Sequence, residues 1–348
     1  MPTRWRAVRR FISSGLLSLV IIASQINYAQ EAPANTASIH TGTAEDWSSL
    51  SLRGSALRPE KPVLGQKDDY SLFSREMIRV EWRPGDPVDL YVILPKAVSK
   101  PPVILYLYSY PSETDRFRDN DYCLRLTRDG FAAVGFVSAL TGHRYANRPM
   151  KEWFVSELQE SLVTSVHDIQ MILNFLSSRD DLDLTRVAMF GTGSGGTIAI
   201  LAAATDTRIK AIDLLDPWGD WPDWMAKSSI VPDGERPQYM KPEFLNKIGW
   251  LDPVAWLPQL KTQVRLQQIL DDDETPKEAK ARIASAVPAT SKVVKYENNE
   301  EFFRAGSGGR VFQWAKDVLS TPSRVDPIAT SAQTSQPGKG IVKPGHDE

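Results

Sequence analysis

Short apolar runs alternate with amphipathic stretches along the middle of this chain. Residues 77–82 and 88–94 read as strands, joined by a turn that Pro84, Gly85 and Pro87 punctuate. Residues 103–108 follow Pro101-Pro102 and are almost continuously apolar, as in a strand covered on both faces. A helix is predicted over 119–129, ended by Gly130, then a buried strand over 131–139. From 151 to 177, Leu158, Leu162, Val166, Ile169, Leu173 and Leu176 recur every three or four residues and form one helical stripe. Strand 186–190 runs into a glycine-rich turn at 191–196, and the helix after it, 197–204, is apolar on every side. Strands at 209–215, 264–270 and 291–296 follow, and Val311, Trp314, Ala315, Val318 and Leu319 mark a closing amphipathic helix.

This alternation predicts an α/β fold: a mostly parallel mixed sheet with helices on both faces, opened by an antiparallel hairpin. The domain is expected over 65–321, with an insertion at about 216–260 that acts as a lid. Residues 30–64 are polar and broken by prolines, and read as a linker or loosely docked arm; residues 322–348 read as a disordered tail. At the start, Arg4, Arg6, Arg9 and Arg10 precede a short apolar run and the small residue Ala29. Residues 1–29 therefore read as a cleaved secretory signal, implying a periplasmic or extracellular protein with no membrane span after cleavage.

Composition narrows the function classes. Net charge is -2, from 41 basic and 43 acidic residues, which leaves no electrostatic footprint for a nucleic acid. The single cysteine, Cys123, has no partner in the chain and is expected to be a buried structural thiol. No His/Cys ligand set is spaced for a metal, and none is expected.

The turn at 191–196 carries the candidate chemistry and has two readings. As G-x-G-x-x-G, Gly191, Gly193 and Gly196 match a dinucleotide fingerprint, with Asp213 placed as a ribose-binding acid on the next strand. As a strand–nucleophile–helix turn, Arg186-Val187-Ala188-Met189-Phe190-Gly191-Thr192-Gly193-Ser194-Gly195-Gly196 resembles the elbow of the α/β-hydrolase family, closest to the dienelactone hydrolase and prolyl-oligopeptidase-type esterase branches. The resemblance covers most of 75–320 through the order of its parts.

That resemblance implies a serine, a histidine and an acid acting together, an oxyanion hole, an ester or peptide substrate and no cofactor. The sequence departs from it at two of the three catalytic positions. Gly193 occupies the serine position, and Ser194 stands where the family uses a backbone N–H for the oxyanion. A one-residue slip of the turn would make Ser194 the nucleophile. Asp272 or Asp273 matches the acid position, and Glu300 stands in the histidine position. A carboxylate is a weak base at neutral pH unless burial raises its pKa. Of four histidines, His40 and His346 lie in the terminal segments and His167 sits just off the helical stripe, as a partly exposed structural residue. His143 alone follows a strand into a loop of the kind that lines such sites. Tyr108 or Tyr110 stands where a tyrosine can donate to the oxyanion.

Trp218, Trp221 and Trp224 alternate with Asp216, Asp220 and Asp223 in the insertion, either as its own core or as a face for a sugar or cation. The expectation is an exported pseudoenzyme of this family that binds a small ester-like or glycan-like ligand or a partner. An active hydrolase using Ser194 and a dinucleotide enzyme are the alternatives.

Overall fold

The structure, a computed structural model, describes residues 45–321 apart from 53, 54, 56, 113, 141–143 and 145–153. The leader, the tail, His40, His143 and His346 lie outside the described residues. Among the described residues, nine strands form one sheet in the order β1-β2-β3-β5-β4-β6-β7-β8-β9. They are β1 (Val63–Asp69), β2 (Phe73–Val80), β3 (Val88–Pro95), β4 (Pro102–Leu107), β5 (Ala132–Phe136), β6 (Asp183–Thr192), β7 (Ile209–Leu215), β8 (Gln263–Ile269) and β9 (Lys292–Tyr296). Pairings from β1 to β3 and between β3 and β5 are antiparallel; the rest are parallel.

Central β4 and β5 are buried at every position, which is why their sequences run apolar without alternation. One face of the sheet carries α2 (Leu158–Ser177) and α3 (Ser194–Thr205), and the other carries α1 (Asn120–Thr127) and the closing α10 (Gln313–Ser320). Between β7 and β8 the insertion folds into α4 (Trp221–Lys227), α5 (Arg236–Tyr239), α6 (Pro242–Gly249) and α7 (Pro253–Trp256). Helices α8 (Lys277–Ala286) and α9 (Asn299–Gly306) follow β8 and β9.

One expectation is corrected here. Within the arm, Leu50 is buried in the core, and Gln170 on α2 donates to its carbonyl at 2.7 Å. The same arm covers His167, which is buried rather than partly exposed. Its Nδ1 meets the Glu45 carboxylate at 2.5 Å, and its Nε2 the Ser49 carbonyl oxygen at 2.9 Å. Beside it, buried Asp168 accepts from Trp82, Arg83 and Arg144. Burial alone would raise the Asp168 pKa, but the two guanidinium groups outweigh it and hold it at about 2. Cys123 is buried as expected, its thiol donating to the Phe117 carbonyl at 3.0 Å.

Candidate active site

A cleft of about 680 Å³ opens over the carboxyl ends of β4, β6, β7 and β8, where parallel sheets of this kind hold ligands. Its floor is the turn from β6 into α3. Gly193 there has φ 49° and ψ -121°, a region that is strained for any residue with a side chain. The elbow is therefore built without slippage, and Gly193 is the residue at its apex. A Cβ added at Gly193 would overlap the Ser109 Oγ and would lie 3.1 Å from the Trp218 indole nitrogen.

Ser109, the second residue after β4, thus fills the room that a nucleophile's side chain would need. Its Oγ accepts the Ser194 N–H at 3.3 Å, and its own N–H donates to the Thr192 hydroxyl at 3.0 Å. The backbone donor that this turn offers to an oxyanion already has an acceptor within the protein. Ser194 itself is buried, and its Oγ accepts the Tyr110 N–H at 3.0 Å. Ser109 and Gly193 line the cleft, whereas Ser194 is absent from its lining.

The other sequence-derived candidates are distributed as follows. Asp272 lines the cleft, while Asp273 is exposed and its carbonyl accepts from Ser229 in the insertion at 3.1 Å. Glu300 points outward as an exposed partner of Arg304 at 2.7 Å, and its neighbour Asn299 lines the cleft instead. Tyr108 lines the cleft, but its hydroxyl is hydrogen-bonded to that of Tyr122 and the Arg116 guanidinium stacks on its ring at 3.9 Å. Burial pushes the Tyr108 phenol well above its ordinary pKa. Tyr110 packs at the edge of the main core rather than in the cleft. His143 lies outside the described residues.

Three cleft residues carry no catalytic reading in the sequence: Ser109, Asp216 and Glu274. Asp216 ends β7 with φ 43°, and its carboxylate accepts the Ile269 N–H at 3.0 Å, with Lys280 3.7 Å away. Burial, opposed by Lys280 but reinforced by Asp272 and Glu274, raises its pKa to about 7. Glu274 is also raised, by burial and by Asp272 and Asp273, although it accepts a hydrogen bond from Trp218. A carboxylate closing a buried strand was the available signal for Asp216; the run of acids after β8 hid Glu274 among equals.

Two other readings are corrected. Trp218, Trp221 and Trp224 are all buried and outside the cleft lining; Trp224 lies 4.8 Å from Trp218 and 5.8 Å from Trp221, ring centre to ring centre. Packed against one another, tilted in one pair and edge-on in the other, they form the insertion's core, not a sugar platform. The glycines of 191–196 also serve packing: a Cβ at Gly191 or Gly195 would meet the backbone of α3 or β4. Asp213 is fully buried and paired with Arg265 at 2.8 Å, so it cannot meet a ribose. These glycines bring the helix onto the sheet, and the buried Asp213 leaves the fingerprint without its ribose partner.

No family model matches the sequence, and no curated protein is significantly similar to it. Solved structures are similar in fold. Acetyl xylan esterase 1 from Thermoanaerobacterium sp. JW/SL YS485 superposes with a TM-score of 0.64 at 16% identity, over 80% of this chain and 96% of that one. The acetyl xylan esterase from Paenibacillus sp. R4 gives 0.63 at 17% identity, over 78% and 92%. The acylaminoacyl peptidase of Pyrococcus horikoshii gives 0.52 at 13% identity, over 75% of this chain and 49% of its own. With the sheet order and the elbow, these likenesses establish an α/β-hydrolase fold.

Proposed function

We propose that this α/β-hydrolase-fold chain binds a small molecule or partner group in its cleft without forming an acyl-enzyme. One observation carries the reading: Gly193 stands at the apex of the elbow, with the Ser109 hydroxyl in the nucleophile's place and on the oxyanion donor. The loss extends beyond the nucleophile. Glu300 faces solvent, so no histidine or substitute base stands at that position of the catalytic unit. Groups that act as a unit lose their effect together. The reading includes export, which rests on the leader pattern at 1–29.

A second reading, hydrolysis, has the named activities of the structural neighbours in its favour and a carboxyl with a pKa of about 7, Asp216, in the cleft. For Ser194 to act, its Oγ would have to leave the Tyr110 N–H and turn into the cleft. Steady-state hydrolysis of p-nitrophenyl acetate separates the two. Binding without turnover predicts a rate that is unchanged by Ser194→Ala and by Ser109→Ala. A saturable rate lost in either variant would establish hydrolysis instead.

A further inference from the structure

The cleft's charges are sorted by wall. Arg116 and Arg125 lie on the loop and helix that follow β4, and both line the cleft. Arg116 stacks on Tyr108, and Arg125 lies 5.7 Å from the Tyr122 ring centre; neither is ion-paired with a carboxylate among the described residues. Asp216, Asp272 and Glu274 stand at the ends of β7 and β8. The cation that reaches them, Lys280, directs its ammonium to the carbonyl oxygens of Ile269 and Asp272.

Sheet order keeps the two walls apart. Strands lie about 4.8 Å apart, and two spacings separate β4 from β7 while three separate it from β8. Helix α1 packs towards β5 and β3, away from β7, so strand spacing sets the backbones of the two walls roughly 10–14 Å apart. The rest of the lining mixes Phe190, Phe302 and Phe312 with polar Ser109, Thr192 and Asn299.

We propose that the cleft binds a zwitterion: its carboxylate on Arg116 and Arg125, its ammonium against Asp216, Asp272 and Glu274, and an apolar segment between. This assignment deepens the binding reading above and rests on it. Lys280 faces the acidic wall, 3.7 Å from Asp216, yet burial and neighbouring carboxylates still hold Asp216 and Glu274 above their ordinary pKa values. An arriving ammonium favours the ionised form, so binding releases protons near neutral pH.

Isothermal calorimetry on the full chain tests this with ω-aminooctanoic acid, whose charged ends are about 10 Å apart when extended, matching the wall separation. Octanoic acid, octylamine and the shorter ω-aminobutanoic acid are the controls. The expected result is at least roughly tenfold tighter binding of ω-aminooctanoic acid than of each control. At pH about 7, buffers of different ionisation enthalpy should report proton release. Arg116→Ala with Arg125→Ala should reduce its affinity to that of octylamine, and Glu274→Gln to that of octanoic acid. Octanoic acid or octylamine binding as tightly, or no binding of ω-aminooctanoic acid to folded protein, would overturn the assignment. Ester turnover measured on the same sample keeps this outcome separate: turnover sinks the non-catalytic reading, whereas loss of zwitterion binding sinks only the ligand class.

Discussion

At position 193 the side chain is missing and its room has been taken by Ser109 from the facing loop. Replacing Gly193 by Ser forces a side chain into positive φ and against the Ser109 Oγ. Such strain costs on the order of 1–3 kcal/mol. Urea denaturation should show that loss, and Ser109→Gly in the same chain should return part of it. Strictly additive effects would mean that the two side chains do not compete. A second residue-scale consequence concerns Ser194, whose buried hydroxyl satisfies the Tyr110 N–H. Ser194→Ala should cost about 1–3 kcal/mol by leaving that donor unmet, and this too reads out in urea. A change near zero would point to a hydroxyl free to turn into the cleft. The sequence made Gly193 legible, since the elbow pattern fixes its place. It could not make Ser109 legible, because that contact joins residues on different strands.

Elements were read with uneven success, for a physical reason in each case. Strands β4 to β8 and helices α2 and α3 announced themselves because burial forces their apolar patterns. Strand β1 has no readable pattern because its residues are almost all exposed, and only Val63 and Leu64 fall in the arm; it is an edge strand held by backbone pairing with β2. Helix α9 has no buried residue, so no stripe betrayed it, and with it went the true direction of Glu300. Helix α2 gave its stripe but hid the strap on its far side, where His167 meets Glu45 and Ser49. His167→Ala removes both contacts and leaves Glu45 buried beside Arg83, at a cost of about 3 kcal/mol. Limited proteolysis should then cut within residues 45–52 well before the rest of the domain. Unchanged cutting and stability would mean that the strap is held by Leu50 packing alone.

For the whole molecule, buried carboxyls set opposite slopes of stability with pH. Asp168 is depressed to about 2, so its contribution is present above the ordinary carboxylate pKa of about 3.9 and is lost as pH falls towards 2. Asp216 is raised to about 7, so the folded state keeps a proton that the unfolded chain loses near 3.9. Its sign is the reverse: stability falls as pH climbs from about 4 to about 7 and then levels off. Asp213, raised to about 6 because burial outweighs its Arg265 pairing, acts in the same direction. Urea midpoints should therefore peak in mildly acidic solution, and Asp216→Asn should flatten the neutral flank. A peak at alkaline pH would contradict these assignments. The fold as a whole was legible because its alternation of strands and helices is a property of the entire chain. The state of the cleft was not, because it depends on which side chains the sheet brings together.

We propose that the elbow of this α/β-hydrolase fold presents no reactive serine. Treating folded protein with a fluorophosphonate and locating any adduct by peptide mass spectrometry tests this. No adduct is expected on Ser194 or Ser109, while a serine esterase treated in parallel labels fully. A stoichiometric adduct on Ser194 that vanishes in Ser194→Ala, or one on Ser109 that vanishes in Ser109→Ala, would contradict it and make the cleft a hydrolase site.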